Sequence, residues 1–278
     1  MKIISYVTPQ EFLHKTLHVL EENEVENNLI IGLCNGLIQT KIFYEGCVFI
    51  NAIENGIVKA SSIKTLHKAI VTNYDESLFP IKAIAEYYRD NNIDLRGVVG
   101  KSSTAKEFSK WYGKEVVGEK GLIVHTLETV NPLPLSLGSL EIATIEDNEL
   151  ITEWSIEFEK DVKAFPKTSY EEMSKSVTRR IESGNFYKWV VSGEIVSIAA
   201  IVRTLTNTCI IGLVYTPPHL RGNGFATSCV QRLSEIILDR GYKYCGLFTD
   251  KANPTSNNIY KKIGYVPIEE HSDIEFLE

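Results

Sequence analysis

The sequence predicts an α/β protein of two domains, on three observations. Short β-branched and aromatic runs alternate with segments of helical periodicity along the whole chain. The 278 residues are 44% apolar, ample for packed cores on the scale of one large or two ordinary domains. Between two such sets of elements lies Asn131-Pro132-Leu133-Pro134-Leu135-Ser136-Leu137-Gly138. Its prolines favour extended backbone, so it reads as a linker. The boundary is placed near residue 135, giving domains 1–134 and 135–278.

In the first domain, Thr8-Pro9-Gln10-Glu11 opens a helix: Thr8 caps, Pro9 takes the first turn and Glu11 closes a capping box. Phe12, Leu13, Leu17 and Leu20 follow at helical spacing. A second helix is expected over residues 25–37. Strands at 47–53 and 57–61 flank the turn Glu54-Asn55-Gly56. A strand at 67–72, a helix at 80–90, a strand at 97–100, a helix from 102 to 112 and a strand at 121–129 complete an α/β layer.

The second domain opens with a strand at 139–143 and a helix at 147–158 that has Leu150, Ile151, Trp154 and Phe158 on one side. Ser169-Tyr170-Glu171-Glu172 is a capping box for a helix ending at Gly184. Strands at 186–191 and 195–203 form a hairpin about Ser192-Gly193-Glu194.

Function is most legible in residues 210–226. Ile210, Ile211, Leu213, Val214 and Tyr215 form an apolar strand, which Pro217 and Pro218 stop. Arg221-Gly222-Asn223-Gly224-Phe225-Ala226 then leads into a helix at 227–240. A glycine-rich turn between strand and helix gathers backbone N–H groups, and the helix N-terminus adds roughly half a positive charge. That chemistry suits a phosphate or pyrophosphate. Gly222 and Gly224 permit close approach and positive φ, Ala226 keeps the first turn narrow, and Arg221 supplies a cation. A strand at 244–249 follows, then a short helix beginning near Asn253 and a final strand at 265–268.

Arg221-x-x-Gly224-x-Ala226 after an apolar strand resembles the acetyl-CoA signature of the GCN5-related N-acetyltransferases (GNAT). Asn253, Tyr260, Gly264 and Tyr265 hold the places of a second motif of that family, in the same order and separation. The resemblance covers about residues 138–278. It implies a mixed, mostly antiparallel twisted sheet flanked by helices. It places the pyrophosphate of acetyl-CoA on the amides of Gly222, Asn223, Gly224, Phe225, Ala226 and Thr227. The pantetheine arm would run along Val214, Tyr215 and Thr216, where the strands at Ile211 and Leu247 should splay. The N–H near Val214 would hold the developing oxyanion. Tyr260 is implied as the proton donor to the leaving thiolate, and Asn253 as a pantetheine contact, a helix N-cap, or both. Arg221 fits a phosphate contact or a surface ion pair. The implied activity is acetyl-CoA-dependent N-acetyl transfer to a primary amine of a small molecule, by direct attack and without a metal. A non-catalytic acyl-CoA-binding or sensing module is the alternative. The cofactor strand and the strand after it carry no acid, so the general base stays open among Glu194, His219, Asp250, a residue of the first domain and a water chain.

The element order of the first domain also resembles such a fold, and we read it as a degenerate copy on the acceptor side. Its turn Asn73-Tyr74-Asp75-Glu76-Ser77-Leu78-Phe79-Pro80 has no glycine run and carries two acids where phosphates would sit, so it should not hold coenzyme A. Gly100-Lys101-Ser102 matches the end of a P-loop, but Leu95 stands where that motif needs its first glycine. No GxGxxG supports a dinucleotide oxidoreductase.

Composition narrows the partners. Lys and Arg number 29 against 36 Asp and Glu, a net charge of −7, and the pI is near 5.5. This argues against nucleic acid and anionic membranes as partners. No apolar run reaches a membrane span and Met1 to Gln10 lacks a signal peptide's apolar core, so a cytoplasmic monomer or homodimer is expected. The five cysteines lack CxxC spacing and read as reduced core residues; His14 and His18 read as a solvated helix face rather than metal ligands.

Overall fold

The computed structural model describes residues 1–40, 46–163 and 167–277. In chain order the first half runs β1 (Lys2–Tyr6), α1 (Pro9–Glu21), α2 (Asn28–Thr40), β2 (Val48–Glu54), β3 (Ile57–Lys64), β4 (Lys68–Asn73), α3 (Phe79–Asp90), β5 (Gly97–Lys101), α4 (Ser102–Tyr112) and β6 (Val116–Leu127). The second half runs β7 (Ser139–Ile142), α5 (Asn148–Asp161), α6 (Tyr170–Glu182), β8 (Phe186–Val191), β9 (Glu194–Thr204), β10 (Thr208–Tyr215), α7 (Phe225–Asp239), β11 (Tyr244–Asp250), α8 (Pro254–Ile263) and β12 (Val266–Phe276). Apart from two short 3-10 turns, the two halves repeat one order: βααβββαβαβ.

The described residues form two compact units: Met1–Val124 with Thr249–Ala252 and Pro267–Glu278, and His125–Phe248 with Asn253–Val266. In the first unit the strands pair β1-β2-β3-β4-β5-β12, all antiparallel except β4 with β5. In the second they pair β7-β8-β9-β10-β11, all antiparallel except β10 with β11. A parallel pair requires a crossover. The crossover is α3 in the first unit and α7 in the second.

Each sheet buries one core against its helices. In the first unit Ile50, Val71, Ile84, Tyr88, Val98 and Phe108 pack together, all almost wholly buried. In the second, Tyr187, Trp189, Ile211, Leu233, Leu247 and Ile263 do the same.

Local chemistry explains most element boundaries. Thr8 accepts from Glu11 N–H at 3.2 Å, and Glu11 in turn accepts from Val7 N–H rather than from Thr8 as a true capping box would have it. Ser169 and Glu172 do form a capping box. Three elements depart furthest from the sequence reading. β1, not expected at all, is a half-exposed five-residue strand. β6 begins at Val116 rather than 121. β12 runs to Phe276 rather than stopping at 268 and pairs with β5 from His271↔Lys101 to Glu275↔Gly97. Its alternate residues Ile274 and Phe276 enter the first unit's core, where the Phe276 ring lies 5.3 Å from that of Tyr112. That apolar burial is what carries the strand past 268.

Candidate active site

The candidate site of the second unit is built on β10, α7, β11 and α8. β10 and β11 pair from Thr208↔Tyr244 to Ile211↔Leu247, whereas β10 continues to Tyr215 and β11 to Asp250. The strands thus part after Ile211 and Leu247, where the sequence places the splay. A bulge accompanies the parting. On the β9 side the register steps from Gly212↔Ala200 to Tyr215↔Ile198, leaving Leu213 and Val214 opposite one residue. Leu213 takes φ +51°, an uncommon left-handed conformation for a leucine. Such a bulge breaks the ladder and re-aims the backbone at this point. Val214 therefore lies outside the regular register, as a backbone donor to a ligand must.

Tyr215 and Thr216 behave differently. Both are buried; Tyr215 O accepts from the Ser197 hydroxyl at 3.1 Å, and the Thr216 hydroxyl donates to Ser197 Oγ at 2.9 Å. The Tyr215 carbonyl and the Thr216 side chain anchor the strand end through Ser197.

Pro217 precedes a short 3-10 turn, Pro218–Leu220, and the chain then enters the glycine turn. Gly222 has φ +86° and Gly224 φ +79°. A Cβ built at Gly222 would meet nothing within 4 Å, and one at Gly224 only Ser136 Cβ at 3.8 Å. The glycines answer to backbone conformation, and the space above them is open. Asn223 Nδ2 donates to Leu220 O at 3.0 Å and ties the turn down. In α7 the first intrahelical bond runs from Ser228 N–H to Gly224 O. The N–H groups of Phe225, Ala226 and Thr227 have no acceptor inside the helix. These three amides and the positive end of the α7 dipole face the same turn as the two open glycines, and the residues present fit a diphosphate. Ser136 N–H and hydroxyl both bond Ser228 Oγ, at 2.8 and 2.9 Å, which braces the start of α7.

Arg221 is held otherwise. Its Nε donates to Thr216 O at 2.8 Å and its other end to Asp161 at 2.6 Å, with the guanidinium 5.6 Å from the Tyr215 ring centre. Of the two uses the sequence left open, the structure shows the ion pair.

Asn253 is the N-cap of α8: its side chain accepts from Ser256 N–H at 3.1 Å, and Pro254 follows in the first turn. Gly264 closes α8 with φ +114°, where a Cβ would come within 2.9 Å of Thr129 O. This ending seats Tyr265 edge-on to Tyr260, ring centres 5.8 Å apart. Tyr260 is buried on α8, and burial pushes its phenol well above the ordinary range, so it stays protonated. A neutral buried phenol can donate a hydrogen bond but not exist as an anion.

Sequence reasoning passed over His125, on β6. It is buried, its ring lies 6.5 Å from that of Tyr260, and it interacts with Asn257 of α8. Burial lowers its pKa, the Asn257 bond opposing, so the imidazole is neutral at neutral pH. No local signal marks it, because the neighbour is supplied by the fold. Of the open base candidates, Glu194 and His219 are exposed, and Asp250 lies 3.5 Å from Lys120. All five cysteines are free and four are buried.

The second unit thus combines a splayed parallel strand pair, a bulge at the point of parting and an open glycine turn at the following helix. Residues 148–265 match the family model of the acetyltransferase (GNAT) family. That stretch is a GNAT-family domain, and members of the family use acetyl-CoA for acyl transfer. Solved structures carry the likeness over the whole length. A GNAT-family acetyltransferase from Colwellia psychrerythraea is 10% identical with a TM-score of 0.63, covering 100% of both chains. A GCN5-related N-acetyltransferase from Sphaerobacter thermophilus is 14% identical with a TM-score of 0.64, covering 99% of this chain and 95% of its own. A tandem GNAT protein from the clavulanic acid biosynthesis pathway is 13% identical with a TM-score of 0.60, covering 98% and 97%. At these identities the likeness is one of fold, and it extends to the first half of the chain. No curated protein matches the sequence. No helix among the described residues is long and apolar enough to cross a membrane.

Proposed function

We propose that the protein is an acetyl-CoA-dependent N-acetyltransferase acting on a primary amine of a small molecule, with residues 135–278 as the coenzyme-binding domain. The supporting observation is the conjunction of the open Gly222–Gly224 turn at α7 with the bulge that leaves Val214 out of register, both at the splayed end of β10. The diphosphate would rest on the amides from Gly222 to Thr227. Val214 N–H would polarise the thioester carbonyl and stabilise the oxyanion of the tetrahedral intermediate. The neutral amine attacks that carbonyl, the C–S bond breaks, and the amine's proton leaves to solvent or a side chain. An alkylamine with pKa near ~10.4 is nearly all protonated at neutral pH, so rate should rise with pH. Tyr260 would donate a hydrogen bond to the departing sulfur. Asn253 is assigned to ordering the loop before α8, and Arg221 to bracing the turn through Asp161.

The test is thiol release from acetyl-CoA by the full-length protein across a panel of small amines, with binding measured by calorimetry. Amine-dependent release of free coenzyme A supports the reading. Tight binding with no release for any amine would instead establish a non-catalytic acyl-CoA-binding module.

A further inference from the structure

We propose that His125 is a positioning residue for Tyr260, holding the N-terminal half of α8 through Asn257 and so setting the phenol beside the sulfur of bound coenzyme A. The inference deepens the transferase reading and rests on it. A boundary near residue 135 would assign His125 to the first domain, yet the structure groups it with Asn257 and Tyr260 in the second unit.

His125 stands near the end of β6. Leu127, two residues on and so on the same face of the strand, joins the core of the second unit as an ordinary aliphatic. A leucine at 125 would suit that core as well. Histidine there is 3% exposed, and the desolvation of a polar ring is costly. What the ring gains is a hydrogen bond with the Asn257 side chain. Burial lowers the His125 pKa and this bond raises it, the sign expected when a ring N–H donates to the amide oxygen.

Asn257 and Tyr260 are three residues apart and share one face of α8. Helical side chains lean toward the N-terminus of their helix, so the Tyr260 ring leans over the turn that carries Asn257. Two rings border it: His125 with centres 6.5 Å apart and planes at 53°, and Tyr265 at 5.8 Å and 71°. The first of these is also bonded to α8 through Asn257.

The two ends of α8 are held differently. At its C-terminal end Tyr260 O accepts Gly264 N–H at 3.2 Å and Tyr265 N–H at 3.0 Å, and Ile263 O accepts Asn131 N–H at 2.7 Å. The buried residues of α8, Tyr260 and Ile263, belong to the same half. In the other half the Asn253 cap acts within the helix's own first turn, on Ser256 N–H. The bond from His125 to Asn257 joins this half to β6. Its loss would leave α8 folded and its far end in place, and would free the turn over which the phenol lies.

The experiment is carbon-13 NMR of the full-length protein, its 13 tyrosines labelled at Cζ, titrated with coenzyme A. Tyr260→Phe assigns the Tyr260 signal. Bound coenzyme A should shift that signal in wild type. In His125→Leu and Asn257→Ala the shift should fall by at least about half, with the Kd for coenzyme A within about twofold. Tm should change little, since leucine suits the core and Asn257 is half-buried and can bond water. With an amine that is turned over, each variant should lower kcat by about threefold to tenfold at unchanged KM for acetyl-CoA, and no further in a Tyr260→Phe background. A packing role alone would lower Tm and act equally in both backgrounds. A coenzyme-induced shift that survives in both variants, a reduced shift seen only with a large fall in Tm, or additive losses of kcat would overturn the proposal and leave the transferase reading standing. An unmoved Tyr260 signal in wild type with coenzyme A bound would instead remove the phenol from the site, and the proposal with it. Absence of coenzyme A binding would overturn the transferase reading itself.

Discussion

Gly224→Asp separates the fold of the turn from its use. Gly224 is the N-cap of α7 at φ +79°. A side chain there costs about 1 kcal/mol for the left-handed backbone, which aspartate tolerates better than most residues. Sterically little changes, because a Cβ meets only Ser136 Cβ at an ordinary 3.8 Å. Capping by the carboxylate and its attraction to the α7 dipole return much of that cost. Stability should therefore shift by no more than about 1 kcal/mol. Coenzyme binding should not be spared. A carboxylate about 5 Å from a phosphate charge is disfavoured by about 0.8 kcal/mol in bulk water and about 3 kcal/mol at an effective dielectric of 20. With two diphosphate charges the loss is at least about 20-fold in affinity and extends beyond detection if the site is partly dry.

The assay is calorimetric titration with coenzyme A beside a thermal scan, on wild type, Gly224→Asp and Gly224→Asn. Asparagine has the same shape and the same tolerance of positive φ but no charge, so its affinity should stay within about fivefold of wild type. Equal loss in both variants would mean that shape rather than charge matters at this position. Unchanged affinity in Gly224→Asp would mean that no diphosphate sits there, and the site assigned to β10 and α7 would fall.

Three other outcomes follow from the site and its surroundings. Tyr260→Phe should lower kcat by about a hundredfold or more while leaving the Kd for acetyl-CoA and Tm nearly unchanged, checked by steady-state kinetics and calorimetry; a drop in affinity alone would deny the phenol its role. Arg221→Ala should reduce coenzyme affinity by less than about tenfold and Tm only slightly, because its guanidinium is half exposed and paired with Asp161; a loss as large as that of Gly224→Asp would restore it as a phosphate ligand. Burial, with Glu269 opposing and Lys101 reinforcing, lowers the pKa of His271 to about 4. The unfolded chain takes up this proton below about pH 6.5 and the folded chain only near 4, so the group's contribution is complete above 6.5 and is lost as pH falls toward 4. Urea unfolding of His271→Gln should show a flatter pH dependence across that window, and an unchanged slope would refute the assignment.

What was legible in the sequence is what is written in local backbone grammar. Gly222 and Gly224 announce positive φ, Asn253-Pro254 announces a helix start, and Gly264 announces its end; all three take those roles. The acids after β4 could be read as hostile to phosphate, and the structure shows their turn satisfying its own donors. What was not legible depends on distant partners. Leu213 carries no mark of a bulge, because the extra residue is defined by mismatch with β9. Arg221 could be read as a phosphate contact or an ion-pair partner, and nothing local marks Asp161, sixty residues away, as that partner. β12 alternates like any strand, and its pairing with β5 is a choice among edges that alternation does not encode.

The repeated element order makes the two helix starts a comparison within one chain. In both units a parallel strand pair is bridged by a helix whose N-terminus lies beyond the end of the first strand. The backbone plan offers the same positive dipole end twice. The side chains decide what it can accept. At α7 the turn contributes two residues without side chains and leaves the first amides unspent. At α3 it contributes Asp75 and Ser77, which take those amides themselves, and a proline that deletes one. An external phosphate would have to displace a carboxylate already bonded to the turn and to Lys59, with Glu76 adjoining. The fold thus supplies an anion site by default, and the acidic turn cancels it.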